Sequence, residues 1–483
     1  PPTNVQSLKV VMWRHNGFGT GSKMSIYRSE RVQESILDGK TPANFPNPNE
    51  PFQSDLGGGV TCSVPIALYA DAEGTLPHTP TVKKDSALIQ STRVRRSADD
   101  RATRLAAVSL AWNVFQHFYP YFDVVKTDWP AELKQALQSA ATDADERAFT
   151  LTLRRLVAAL RDGHGNVGAP NAEMFAPGVV WDWIEERLVI TEVKNSTSGL
   201  APGDVVLTIN GQPSARLLEE TERSISGATP QWIRSRALRE IAMGAKDTSL
   251  TLEIEPWASP GKRTQVAVKR DAQAWAIEEK RPARVAEIEA GVFYLDFDRI
   301  SDQDFKEALP KLEQAKGIIF DLRGYPRNLN AMQLFPHLTE KPMTSAQWHV
   351  PVVTRPDRQN MQFMRGGEWQ IAPRAPYLKA RKAFITGGGA ISYAESCMGI
   401  VEHYKLAEIV GGPTAGTNGN VNPFTVPGGY TIVWTGMKVL KQDGSQHHGV
   451  GIRPTIPVAR TRAGVAAGRD ELLERALQTV KGQ

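Results

Sequence analysis

The chain has 483 residues, enough for about three domains; 57 Lys and Arg against 52 Asp and Glu leave a formal net charge of +5. That balance is too mild to point to nucleic acid. No run of about 18 or more apolar residues occurs, so no transmembrane helix is expected and stable membrane insertion is excluded.

No signal peptide is recognisable, and the chain opens on Pro1-Pro2-Thr3-Asn4 without methionine. It therefore reads as a processed or trimmed sequence whose targeting is not visible. Residues 1–90 read as a β-rich module. Leu8 to Trp13 is a strand, Gly17 to Gly21 a turn, Ser25 to Arg28 a return strand, 38–55 a loop and Val60 to Leu68 a further strand. Neither glycine cluster of this module is followed by Gly-Lys-Ser/Thr or a helix, so neither is a phosphate loop, and no cofactor is expected. Cys62 and Cys397 do not fix a compartment; Cys397 reads as a small buried apolar residue.

Residues 80–98 form a polar linker, with a solvated basic cluster at Arg93, Arg95, Arg96, Arg101 and Arg104. A helical domain over 97–170 follows. Leu105, Val108, Ala111, Trp112, Phe115 and Phe118 share one helical face. Two more helices are expected at about 129–141 and 144–161. The last runs into Leu160-Arg161-Asp162-Gly163-His164, which places His164 just beyond a helix end. Over 178–272, strands alternate with helical material at about 214–243. The hairpin Gly199-Leu200-Ala201-Pro202-Gly203-Asp204 to Ile209-Asn210-Gly211 resembles that of a PDZ domain, a fold that binds peptide ends by adding a strand to a sheet edge.

From 284 to 483 an α/β pattern restarts. Gly291–Phe297 is a strand, 302–315 a helix, and Gly317–Leu322 a buried strand ending in Arg323-Gly324-Tyr325-Pro326. Residues 341–375 read as an insertion or a substrate-side flap. Phe384-Ile385 then leads through Gly387–Gly389 to Ser392 and a helix reaching about Tyr404, with Ile391, Ala394, Met398, Val401 and Tyr404 on one face. Ser392 thus lies where a strand hands over to a helix, close to the unpaired N–H groups of a helix start. It is read either as a nucleophile or as a plain helix cap. Strands at 424–426 and 430–440, the segment His447-His448-Gly449-Val450-Gly451-Ile452-Arg453-Pro454 and a terminal helix at 467–480 complete the chain.

Four of these segments, in this order, resemble the S41 serine peptidases, the tail-specific or C-terminal processing proteases and their tricorn-like relatives. They are Leu160 to His164, the Gly199 to Gly211 hairpin, Asp321-Leu322-Arg323-Gly324, and Gly387 to Gly419. The resemblance covers roughly residues 100–460. It implies a multidomain α/β (α+β) fold with a crotonase/ClpP-like catalytic core, a PDZ-like domain, a helical domain and an N-terminal β module. It implies a serine endopeptidase that hydrolyses polypeptides through an acyl-enzyme. Ser392 would be the nucleophile, His164 the general base, and the N–H groups of Gly324 and Tyr393 the oxyanion donors. Two departures stand out. The lysine of the Ser–Lys version of this chemistry should lie at about Thr417, and none is there. The acidic residue of the Ser–His version aligns with His448, so His448 joins the candidate set without a defined role. A serine precedes the histidine in the tricorn-like branch; here it is Gly163. Glu395 reads as a helix-start charge facing the dipole, and a metal at His164, His447 and His448 is disfavoured. The alternatives are a catalytically weak peptide- or ligand-binding protein on the same fold, or an esterase. Members of this layout are mostly exported, which implies a periplasmic or extracellular location.

Overall fold

The computed structural model describes residues 2–482 except 3–4, 20–24, 38–39, 79–96, 171, 173 and 195–198. The turn expected at Gly17 to Gly21 and the linker expected at 80–98 lie partly or mostly outside the described residues, as do Arg93, Arg95 and Arg96. The chain divides into two compact units.

The first unit comprises residues 1–152, 349–366 and 420–438. Strands β1 (Lys9–Asn16), β2 (Arg28–Ser35) and β3 (Ala67–Ala70) form an antiparallel sheet in the order β2-β1-β3. Alternation along β1 turns Val10 and Met12 inward onto Leu8, Ile36 and Ala67. The strand expected over Val60 to Leu68 is broken into Thr61–Val64 and a second piece beginning at Ala67. Pro65 falls at the break and cannot donate to a sheet ladder. Helix α1 (Arg101–Phe118) opens on Asp100, whose carboxylate accepts from Thr103 N at 2.8 Å. Its buried face carries Val108, Ala111 and Phe115 as expected, but also Arg104. Arg104, expected in a solvated cluster, donates instead to the carbonyls of Ala140 (2.7 Å) and Ala98 (2.9 Å). The helix α2 (Trp129–Thr142) supplies Trp129, stacked on Trp112 and edge-on to Phe115. Helix α3 (Glu146–Ala158) begins in this unit and ends in the second.

The second unit comprises residues 153–348, 367–419 and 439–483. Its first layer is an antiparallel sheet in the order β8-β7-β6-β5-β4, formed by β4 (Val179–Ile184), β5 (Arg187–Val193), β6 (Val205–Ile209), β7 (Ser249–Glu255) and β8 (Thr264–Lys269). The helical stretch expected at 214–243 is two helices, α4 (Ser214–Glu222) and α5 (Pro230–Glu240). Gly227 and Pro230 interrupt it. A Cβ at Gly227 would lie 2.5 Å from Ile233, and Pro is tolerated at a helix start but not inside.

The second layer is a six-stranded sheet of β9 (Val285–Glu289), β10 (Val292–Asp296), β11 (Gly317–Leu322), β12 (Arg381–Thr386), β13 (Glu408–Gly411) and β14 (Ile456–Pro457), in chain order. All pairs from β10 onward are parallel. Every residue of β11 is buried, as a parallel strand covered on both faces requires. One face packs Phe320 and Phe384 under α6 (Asp302–Glu313) and α7 (Tyr393–Tyr404). The other packs Ile319 and Ile385 under Leu472, Ala476 and Val480 of α9 (Glu471–Lys481). The terminal helix starts later than expected, because Gly468 takes a left-handed φ of 67° and Asp470 caps the start; α8 (Arg462–Ala466) precedes it as a separate element. The ends of β11 and β12 align, Leu322 opposite Thr386. The loops carrying Gly324 and Ser392 therefore leave the same edge of the sheet, the edge where parallel α/β folds place their sites.

Candidate active site

Ser392 closes a tight turn between β12 and α7. Its backbone sits at φ 58° and ψ −114°, a conformation that costs a non-glycine residue about 1–3 kcal/mol. Neighbouring bonds hold it there. Ser392 N donates to Thr417 O (2.9 Å), Ser392 O accepts from Ser396 N (2.9 Å), and Ala415 N donates to Ala390 O (2.9 Å). Ser392 occupies the cap position of α7, yet its side chain makes no cap hydrogen bond. The plain-cap reading of this serine does not describe the geometry.

Two N–H groups flank this turn. Among the described residues, no acceptor receives the N–H of Tyr393 or of Gly324. Gly389 draws the two loops together, since a Cβ there would lie 3.0 Å from Arg323 O. A Cβ at Gly388 would lie 2.8 Å from Gln231 O, so the glycine run lets the turn press against α5. At Gly324 the obstacle is Asp298, whose Oδ2 lies 2.4 Å from the position a Cβ would take.

His164 lies in the loop that follows α3. Arg161 takes a left-handed conformation, and Asp162 is fully buried. The Asp162 carboxylate accepts from His164 N at 3.0 Å, and Asp162 N donates to Ser226 Oγ at 3.0 Å. Gly163 N donates to Thr417 Oγ1 at 3.0 Å. A side chain at position 163 has no room: a Cβ would lie 2.6 Å from Thr417 Oγ1 and 2.9 Å from Ile391. The departure from serine at this position thus has a steric counterpart. Gly163 also brings the residue before His164 against the residue before Ser392.

His448 reaches the same loop, its Nε2–H donating to Arg161 O at 3.0 Å. Burial pulls the pKa of His164 below the ordinary histidine range, against the fields of Asp162 and Glu395. His448 is likewise lowered by burial, opposed by Asp162 and the Arg161 carbonyl. The loops bearing His164, His448 and Ser392 therefore converge, as do those bearing Ser392 and Gly324.

Sequence reasoning missed three residues here. Glu395 sits in the first turn of α7, as expected, but its buried bonding was not foreseen. It is buried, and its carboxylate accepts from Gly416 N (2.8 Å), Thr417 N (2.8 Å) and the Thr414 hydroxyl. His447 Nε2 lies 3.5 Å from it. Thr417 ties both loops, with its carbonyl on Ser392, its hydroxyl on Gly163 and its N–H on Glu395. Asp162 is the third. Its place two residues before a candidate base was the only available signal for it. Among the described residues, no group of three or more His, Cys, Asp or Glu side chains is arranged to hold a metal ion.

Beside the turn lies an open cleft of about 920 Å³, lined by Tyr325, Arg327, Met332, Trp369 and Tyr393, among others. Trp369, from the stretch read as an insertion or flap, packs edge-on to Tyr393 with ring centroids 5.5 Å apart. The Tyr393 hydroxyl accepts from Ala331 N at 2.7 Å. Burial pushes its pKa up to about 12. Under the Gly324 turn, burial pushes Asp321 up, but Arg323 and Arg281 outweigh it and hold the carboxyl at about 2. Asp298 goes the other way. Burial raises it to about 6, although Arg281 Nη1 lies 2.9 Å away.

The Peptidase family S41 model matches residues 291–458. The chain is 23% identical over 289 residues to a Staphylococcus aureus protein described as a "Probable CtpA-like serine protease", covering 57% of this chain and 50% of that protein. The chain thus spans about half the length of the curated relatives it matches. Its fold is similar to that of mature CPAF, with a TM-score of 0.63 and 15% identity over 79% of this chain and 98% of that one. Mature CPAF complexed with lactacystin gives 0.64 and 15%, over 79% and 99%. The fold is the mixed α/β, multi-sheet fold of these structures. Over residues 291–458, the chain matches peptidase family S41.

Proposed function

We propose that the chain is a serine endopeptidase that hydrolyses polypeptides through an acyl-enzyme on Ser392. One observation carries this reading: Thr417 bonds at once to the turn of Ser392 and to the residue preceding His164. Ser392 Oγ attacks the scissile carbonyl, and His164 takes the hydroxyl proton and returns it to the leaving amine. A lowered histidine pKa keeps that base neutral near pH 7. The N–H groups of Gly324 and Tyr393 receive the oxyanion, which fits their lack of an acceptor among the described residues. Asp162 and His448 orient the His164 loop in place of the acidic residue expected at 448. The antiparallel sheet over 178–272 serves as a PDZ-like peptide-binding domain, and the core is of the crotonase/ClpP-like type. The family match and the curated relatives support the reaction class, and the resemblance to exported members implies a site of action outside the cytoplasm.

The test is cleavage mapping by mass spectrometry on an unfolded protein and a peptide mixture, beside Ser392→Ala and His164→Ala. New peptide ends that vanish in both variants are expected. Cleavage surviving Ser392→Ala would remove Ser392 from the nucleophile's role.

A further inference from the structure

Helix α5 lays one stripe along the nucleophile turn. A Cβ on Gly388 would touch Gln231, and one on Gly389 would lie 3.6 Å from Ser235 Oγ and 3.8 Å from Arg239 Nη2. These three residues fall every fourth position, one face of the helix. The other two arginines of α5 have internal partners: Arg234 is bonded to Glu222, and Arg236 Nη2 lies 2.9 Å from Glu240. Arg239 differs. It is exposed, and no carboxylate among the described residues comes within ion-pair distance of it.

Arg236 and Arg327 add positive charge near Arg239, while Glu278 and Asp298 are the acids in electrostatic reach. Glu278 is itself 3.7 Å from Arg327. Arg327 lines the aromatic cleft beside Tyr325, Trp369 and Tyr393. A guanidinium presents a planar fork of donors suited to a carboxylate. A guanidinium with no ion-pair partner among the described residues, beside the glycine three residues before Ser392, has no structural task of its own.

We propose that Arg239, with Arg327 beside it, forms a carboxylate subsite that reads an acidic group of a peptide lying in the aromatic cleft. This inference rests on the peptidase reading for its substrate class. The carboxylate is an Asp or Glu side chain near the scissile bond.

The experiment measures binding without cleavage. The full chain carrying Ser392→Ala is titrated with fluorescent peptides by anisotropy. The peptides share one sequence and differ only in Glu against Gln near the centre, and in a free against an amidated end. The Glu peptide is expected to bind about tenfold tighter than its Gln counterpart, a difference of about 1.4 kcal/mol. The preference should weaken as salt rises. Adding Arg239→Gln should abolish the preference, Arg239→Lys should keep part of it, and Arg239→Glu should turn it toward a Lys-containing peptide. A preference for the free end with none for Glu over Gln overturns the proposal. A preference that survives Arg239→Gln and Arg239→Glu unchanged overturns the proposal, as does equal binding of all peptides by the parent. Should the unmutated chain cleave nothing while an Arg239-dependent preference persists, the peptidase reading falls and the subsite stands.

Discussion

Thr417→Val is the sharpest probe of the site. The substitution keeps the volume of the side chain and the backbone bonds to Glu395 and Ser392, and removes only the hydroxyl that accepts from Gly163 N at 3.0 Å. Gly163 and Thr417 are both buried. The orphaned N–H should therefore cost about 1–3 kcal/mol of stability. More telling is the effect on registration. Gly163 is held against Thr417 and Ile391, so a loosened contact shifts His164 relative to Ser392. A misplacement of about 1 Å costs on the order of 100-fold in rate. The assay is the rate at which a fluorophosphonate labels Ser392, which needs the nucleophile and its base but no particular peptide. Labelling is expected to slow by about 10- to 100-fold, with Thr417→Ser restoring most of the rate. Thermal unfolding, run in parallel, reports the stability loss. A Thr417→Val chain that loses stability but labels at the parental rate would refute the idea that this hydroxyl registers the two loops.

Glu395→Gln keeps the shape but puts an amide donor against the N–H groups of Gly416 and Thr417. Equilibrium unfolding should show a loss of about 2–3 kcal/mol, and labelling of Ser392 should fall with it; a neutral result would mean that the carboxylate is not what holds the 414–417 loop. Gly324→Ala forces a Cβ onto Asp298 Oδ2, the oxygen that Arg281 holds at 2.9 Å. Labelling should drop more than tenfold with an unchanged circular dichroism spectrum, whereas parental labelling would remove Gly324 N–H from the oxyanion site. Burial lowers the His164 pKa, so the base stays neutral in the folded chain as pH falls through about 6.5, its ordinary value. The acid limb of kcat/KM should accordingly lie below pH 6.5; stability should also decline there, because the unfolded chain takes up the proton first. An acid limb above pH 6.5 would contradict the stated environment of His164.

The turn around Ser392 was legible because its signals are local: a buried strand, a glycine run and an apolar helical stripe lie next to one another in sequence. The burial of β11 and the hairpin at Gly203-Asp204 were legible for the same reason. Long-range groupings were not. Glu395 bonds residues 21 and 22 positions away, and Gly163 meets Thr417 across 254 positions. Nothing in a linear pattern distinguishes a buried carboxylate with such partners from a first-turn acid at a helix start. Arg104 misled for a related reason. A basic cluster reads as solvated until the carbonyls of Ala98, Asp99 and Ala140 accept one of its guanidinium groups. The resemblance supplied what spacing could not, namely that a histidine beyond a helix end belongs with a distant serine.

Which proton acceptor can serve Ser392 is constrained by the same bonds. A lysine at position 417 would have to enter a fully buried place whose side chain already contacts Gly163. It would remove the acceptor of Gly163 N and carry an ammonium into the site beside the Glu395 carboxylate. The long side chain could be housed only by moving the His164 loop away from Ile391. The two arrangements therefore exclude one another sterically: either a lysine fills this place, or threonine fills it and draws the His164 loop onto the serine turn. With Thr417 present, the loop is held close, which favours the proposed base at His164 over a lysine at 417. This is the physical reason to place the base at His164, and to look to Asp162 and His448 for its orientation. Both meet the same loop, Asp162 through His164 N and His448 through Arg161 O.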